Sequence, residues 1–275
     1  MPLFTIKQAL LEQSEPVPSI DREFFQHLRL SNGSFKTTCD NRLNDVNSYV
    51  DEFLDFDCEL KILDVAASSA ISSVEWFAHL QKKSLKMDYT ASDLTMVGRY
   101  YQTGFTDLLF EKQTGHLLQA DILGQAFPSS SGVRWKNQIY RLLKASTSPY
   151  RNKGKEIKLV NRLAARCEQE NSNFSLCELD MFQASKQLNS KSFNVIRAAN
   201  ILNRSYFTEA QIFQAIKQLF SLLDDGGFLI VVKSEDDGMN NGAVYCKKEK
   251  TFEHLGTING GSDINELVRS AGRKN

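Results

Sequence analysis

Between residues 60 and 234, short apolar runs alternate with amphipathic helical stretches, and this alternation restricts the chain to a small set of folds. The runs are KILDV, MDYTASD, FSLCELD, FNVIRAAN and GGFLIVVKS; the helical stretches include SSVEWFAHLQKK and TEAQIFQAIKQLFSLL. Strands buried on both faces read as nearly continuous apolar segments, and the helices that connect parallel strands cover those faces. The pattern therefore predicts an α/β fold, a mostly parallel Rossmann-like sheet with helices on both sides. A ligand site in such a sheet belongs at the carboxyl ends of its strands. GAVYCKK and FEHLGTI, separated by a few charged residues, predict a C-terminal antiparallel hairpin that closes one edge.

In RLNDVNSYVDEFLDF the apolar residues Leu43, Val46, Tyr49, Val50 and Phe53 recur at three- and four-residue steps, so a helix with one buried stripe opens the core. Residues 1–42 read as an N-terminal helical cap and 43–275 as the core, interrupted by an insertion at about 105–155. Within the insertion, DLLFEKQTGHLLQADI predicts a hairpin turning at Thr114 and Gly115. A chain of 275 residues suits one core, not two.

The 33 basic and 33 acidic side chains cancel, so the chain lacks the overall field that draws proteins to polyanions. Neither nucleic acid nor a membrane is expected as a partner unless a local patch holds it. One candidate patch exists: Arg134, Lys136, Arg141, Lys144, Arg151, Lys153, Lys155, Lys158, Arg162 and Arg166 accompany the single acid Glu156. A solvated basic face and a site for a phosphate-bearing acceptor both fit that stretch. Five widely spaced cysteines with no CxxC predict neither a disulfide framework nor a thiolate metal site, and a reducing cytoplasm is the expected location. FLIVV is too short to span a bilayer.

Three apolar strands end in, or just before, a carboxylate: Asp64, Asp93 and Asp180. KILDV runs through AASSA into a helix whose first N–H groups can bind an anionic group. Asp93, closing YTASD, is placed to accept hydrogen bonds from ribose hydroxyls. Helix capping is the alternative role for Asp93 and for Asp180. His27, His79, His116 and His254 show no pairing pattern, and no catalytic base is assigned.

From about residue 43 to the terminal hairpin the chain resembles the class I S-adenosylmethionine (SAM)-dependent methyltransferases. KILDVAASSA sits where that family has its glycine-rich first motif, ASDLT matches the acidic motif of the second strand, and LCELDMFQ is similar to the adenine-contacting motif. FNVIRAANILNRSYF followed by LLDDGGFLIVV resembles the fourth strand, its helix and the Gly-Gly turn into the fifth. The same stretch is locally similar to the receptor-glutamate methyltransferases of bacterial chemotaxis. The resemblance implies SAM as cofactor: Ala66, Ala67, Ser68 and Ser69 around the methionyl group, with Asp64 near its amino end. It also implies Asp93 on the ribose, Leu94 beside the adenine, Asp180 and Met181 at the adenine edge, and Asn200 near the transferred methyl. Asn203, Arg204 and Tyr206 either face the acceptor or form a loop and helix cap.

The function implied is methyl transfer to an unidentified small-molecule or protein acceptor; the alternative is a non-catalytic binding or scaffolding module on the same fold. A nicotinamide-dependent oxidoreductase would want a GxGxxG turn, which this chain lacks. Ala66, Ser68 and Ala70 stand where the family has glycines, and each carries a Cβ that disfavours positive φ. A loop reshaped to work without glycine is expected to keep negative φ throughout residues 66–70.

Overall fold

The computed structural model describes residues 3–12, 17–37, 39–83, 86–189 and 191–271. In chain order its strands are β1 (Leu60–Val65), β2 (Met87–Asp93), β3 (Val97–Thr103), β4 (Thr106–Glu111), β5 (Leu117–Ile122), β6 (Gln125–Pro128), β7 (Lys155–Lys158), β8 (Phe174–Glu178), β9 (Phe193–Ala199), β10 (Leu223–Ser234), β11 (Asn240–Lys248) and β12 (Thr251–Ile258). The α-helices are α1 (Pro18–Phe25), α2 (Asn44–Val50), α3 (Ile71–Gln81), α4 (Arg134–Ser146), α5 (Arg162–Glu170), α6 (Ala184–Gln187), α7 (Glu209–Leu222) and α8 (Asn265–Ala271). The chain divides into two compact units. One comprises Asn41–Ala67, Ser72–Leu94 and the residues from Glu170 on; the other comprises the residues up to Asp40, Ser68–Ile71 and Thr95–Gln169.

The first unit is α/β. Its sheet runs β12-β11-β10-β9-β1-β2-β8, with β10, β9, β1, β2 and β8 parallel. β11 lies antiparallel to β10 and β12 antiparallel to β11, so the expected terminal hairpin extends the sheet as a meander. This is the mostly parallel α/β architecture, with an antiparallel C-terminal hairpin, that the alternating pattern predicts.

Helix α7 explains much of that unit's core. Ile212, Ala215, Ile216, Leu219 and Leu222 form its buried stripe and join Leu63, Ile196 and Leu229 of the sheet in one apolar cluster. Each large side chain removed from water contributes roughly 1.5–3 kcal/mol before entropy is counted. The helix starts with a capping box: Gln211 N donates to Thr208 Oγ1 and Thr208 N to Gln211 Oε1, at 3.4 and 2.9 Å. At the turn into the body of β10, Gly226 has φ +80°, and a Cβ on Gly227 would lie 2.9 Å from Asp224 O. Both glycines are required, one for its conformation and one for space. Elsewhere in the unit Phe77, Tyr89 and Phe174 form an aromatic cluster, with Tyr89 and Phe174 stacked at 5.4 Å.

The second unit corrects the expectation of one core. It holds an antiparallel sheet in the order β6-β5-β4-β3-β7, so the insertion is larger than predicted and begins its first strand at Val97. One apolar cluster gathers Tyr100, Leu109, Leu118 and Leu159 with Ile6, Ala9, Phe24, Phe25 and Leu28. The N-terminal segment is thereby an integral part of this second unit's core and not a cap added to a single fold. A second cluster joins Leu108, Phe110, Leu117 and Ala120 to Tyr140 of α4. Consecutive residues of β4 thus enter different clusters. A strand covered on both faces loses the polar alternation that marks an exposed sheet, so the sequence shows one hairpin where there is a whole sheet.

No helix among the described residues is long and apolar enough to cross a membrane.

Candidate functional site at the strand ends

Parallel register aligns the carboxyl ends of the central strands. Val65 pairs with Ser92 and with Ala198, and Asp93 pairs with Glu178. Beyond those pairs, Ala67 N donates to Ser92 O at 2.8 Å, Leu179 N to Asp93 O at 2.9 Å and Asn200 N to Val232 O at 2.7 Å. The α/β unit therefore carries Ala66, Ala67, Asp93, Leu94 and Asn200 along one sheet edge, with Asp93 partly exposed and Leu94 40% exposed. Ser68 and Ser69 fall in the short stretch that belongs to the other unit; Ser69 is buried and its carbonyl accepts from Asn161 N at 2.7 Å.

The turn after β1 contradicts the expectation of negative φ. Ala66 has φ +58°, Ser68 +58° and Ala70 +65°, so all three residues that replace glycine keep the left-handed conformation glycine favours. Asn200, at the end of β9, is also left-handed at +62°. For a residue with a Cβ that conformation costs roughly 1–2 kcal/mol. The Cβ atoms are accommodated: Ala70 is fully buried, and Ala66 packs against the core cluster of the α/β unit.

Asp64 lies beneath the site and not in it. It is 2% exposed, and its carboxylate accepts from Ser73 Oγ at 2.6 Å, Tyr89 Oη at 3.0 Å, and Nε and Nη2 of Arg197 at 2.9 and 2.5 Å. These donors take up both oxygens, which removes Asp64 from the predicted contact with the cofactor's amino end. Burial, and then the Asp64 charge, push the Tyr89 phenol well above its ordinary range and keep it protonated as a donor. Burial alone would pull the Arg197 pKa down, but Asp64 and Tyr89 outweigh it and hold the guanidinium charged. Arg197 also donates to Asn47 Oδ1 at 2.8 Å and Ser72 O at 3.2 Å and stacks 4.2 Å from the Trp76 ring centroid. Arg197 is not among the residues that the sequence motifs single out. The signal was present, since an arginine inside the apolar run FNVIRAA demands a buried carboxylate beside it.

Asp180 takes the capping role. β8 ends at Glu178, so the acid in register with Asp93 is Glu178, two residues before the one singled out from the sequence. Asp180 caps a short 3-10 helix, Met181–Gln183, accepting from Phe182 N at 2.9 Å and Gln183 Nε2 at 3.2 Å. Met181 is buried in the α/β core, and Phe182 meets Phe207 edge-to-face at 5.4 Å. The Asn200 side chain accepts from Ser234 N at 2.6 Å and lies 3.3 Å from Ser234 Oγ. Asn203 and Arg204 also serve the loop: Asn203 Oδ1 accepts from Ser205 N, and Arg204 pairs with Glu209 and donates to Asp263 O. Tyr206 is exposed. Among the described residues no group of histidine, cysteine and acidic side chains is arranged to hold a metal, and all five cysteines are free thiols.

No protein-family model matches the sequence, and no curated protein matches it either. Similar solved structures exist. One is an O-methyltransferase family protein from Burkholderia thailandensis, 12% identical over 71% of this chain and 39% of the other, with a TM-score of 0.35. Another is the N-methyltransferase NodS from Bradyrhizobium japonicum WM9 in complex with S-adenosyl-L-homocysteine, 12% identical over 72% of this chain and 64% of the other, at 0.36. A third is the [4+2]-cyclase SpnF, 12% identical over 71% and 47%, at 0.35. The chain thus spans 39% to 64% of the length of these three structures.

Proposed function

We infer that the α/β unit binds SAM at the carboxyl edge of its sheet and supports methyl transfer to a small-molecule or protein acceptor. The observation that carries this reading is the left-handed backbone at Ala66, Ser68 and Ala70. Strain of this kind persists only where the surroundings over-determine it, and it gathers at ligand clamps. It falls on the three positions where the resemblance puts glycine, and the Cβ atoms of Ala66 and Ala70 are taken up by protein, so the residues present fit the cofactor. Asp93 would hold the ribose hydroxyls, Leu94 the adenine face, and the Met181 backbone and Asp180 the adenine edge. Asn200, steadied by Ser234, would stand near the methyl. SAM supplies a methyl group already activated on its sulfonium, so the chain's contribution is to bind and orient. Asp64 acts in this reading as a positioning residue, fixing the strand from which the turn departs.

One set of observations favours the alternative, a non-catalytic module. Asp64, Asp180 and Asn200 all spend side-chain hydrogen bonds on the protein itself. Titration with S-adenosylhomocysteine separates the two: one-to-one binding weakened by Asp93→Ala supports the cofactor site, and a flat titration supports the module.

A further inference from the structure

Large apolar side chains left in solvent concentrate in the antiparallel unit. Phe105 is 81% exposed, Leu123 73%, Leu142 72% and Trp135 50%. Phe105 lies in the turn between β3 and β4, and Leu123 in the turn between β5 and β6. The turns are neighbours: Leu123 N donates to Phe105 O at 3.0 Å. Gly104 and Gly124, at φ +47° and +78°, make both turns tight, and neither has any atom within 4 Å of where a Cβ would stand.

Helix α4 begins at the same end of the sheet. Lys136 Nζ donates to Ala126 O at 3.1 Å, and Ala126 pairs with Asp121, two residues from Leu123. The Trp135 ring meets Phe127 edge-to-face at 6.2 Å. The helix then runs toward the far end of β5, where Tyr140 Oη donates to Leu117 O. Trp135 and Leu142, seven residues apart, share one exposed stripe, with the exposed Arg134 and Arg141 beside it. Arg134 and Lys136 belong to this end, whereas Lys144 lies beside His116 and Arg151 against Gly115, at the opposite turn between β4 and β5.

We propose that this end of the antiparallel unit is a membrane-contact surface, with Phe105, Leu123 and Trp135 entering the interface of an anionic bilayer while Arg134 and Lys136, at the start of α4, meet its headgroups. Protruding apolar side chains on tight turns offer far less area than the roughly 1,200–2,000 Å² of a stable protein interface. A bilayer has no such requirement: shallow apolar insertion adds to headgroup attraction, and tryptophan favours the interfacial layer. Single-stranded nucleic acid would want open aromatic platforms along the basic face. Instead Tyr101 and Tyr150 stack on each other at 5.2 Å, and Trp135 is engaged by Phe127 and Lys136. The charge balance that argued against a membrane describes the whole chain, while at this end Arg134 and Lys136 flank the exposed Trp135. The proposal does not depend on cofactor binding by the α/β unit.

The test is cosedimentation of the full-length protein with vesicles of phosphatidylcholine alone and of phosphatidylcholine with about one third phosphatidylglycerol. The wild type should sediment with the anionic vesicles and far less with the neutral ones. Phe105→Ser/Leu123→Ser and, separately, Arg134→Gln/Lys136→Gln should each weaken binding about tenfold or more. Phe105, Leu123 and Arg134 are exposed and Lys136 is half-buried, and circular dichroism checks that each variant is folded. Trp135 fluorescence should shift to the blue on binding, since Trp76, the other tryptophan, is already buried. The proposal is overturned if anionic vesicles leave the wild type in solution, if the Phe105/Leu123 variant binds undiminished, or if the basic face binds an RNA oligonucleotide and not vesicles.

Discussion

Asp64 and Arg197 stand opposite each other on adjacent parallel strands, and the guanidinium clasps the carboxylate through two hydrogen bonds, of 2.9 and 2.5 Å. Both side chains are almost entirely out of solvent. Removing one partner strands a buried charge, so Arg197→Met should destabilise the protein by about 3–5 kcal/mol. Asp64→Leu/Arg197→Met should lie closer to wild type than Arg197→Met alone, because the orphaned charge is gone. Urea denaturation reads both, and a loss below about 1 kcal/mol for Arg197→Met would contradict the assignment.

The left-handed turn predicts a graded response to glycine. Ser68→Gly should relieve strain of roughly 1–2 kcal/mol against about 0.5–1 kcal/mol of added freedom in the unfolded chain, for a small net gain. Ala70→Gly should gain less, since its methyl group is fully buried and its removal forfeits about 0.8 kcal/mol. A valine at either position should instead destabilise the protein, because β-branching resists positive φ. Denaturation midpoints of the four variants rank these effects; loss of stability in Ser68→Gly would mean that the turn is not strained.

A buried carboxyl in the antiparallel unit predicts a pH dependence. Burial raises Asp121 to about 7 from an ordinary 3.8, despite donors at Ile6 N and Gln119 Nε2 at 2.6 and 2.7 Å. Between those values the folded state holds a proton that the unfolded state releases. Stability from this group is therefore greatest at low pH and falls as pH rises from about 4 through about 7. Asp121→Asn keeps an acceptor for Ile6 N and removes the titration, so it should stabilise the unit at pH 8, by up to about 4 kcal/mol, and have little effect near pH 4. An equal effect at both pH values would exclude this role.

The α/β unit could be read from the sequence because its signals are local. Thr208 and Gln211 cap α7, Gly226 and Gly227 turn the chain into β10, and continuous apolar runs mark the parallel strands. The second unit was hidden because its strands pack on both faces and its core draws on Ile6 and Phe24, distant in sequence. At Ala66, Ser68 and Ala70 the steric preference of single residues gave the wrong sign of φ, since only residues 66–70 connect β1 to α3 and the turn must be tight. Asp64 was read as a ligand contact because its partner Arg197 is 133 residues away. Glu178 carries no sequence signal of its own, because only the register sets it beside Asp93.

Calorimetric titration of the protein with S-adenosylhomocysteine decides whether the α/β unit holds the cofactor. One-to-one binding is predicted, and Asp93→Ala should weaken it by about 1.5–3 kcal/mol, or roughly 10- to 150-fold in Kd. Unchanged affinity in a folded Asp93→Ala variant would mean that the ribose is held elsewhere. A wild-type titration that stays flat at millimolar ligand would overturn cofactor binding and leave the α/β unit as a non-catalytic module.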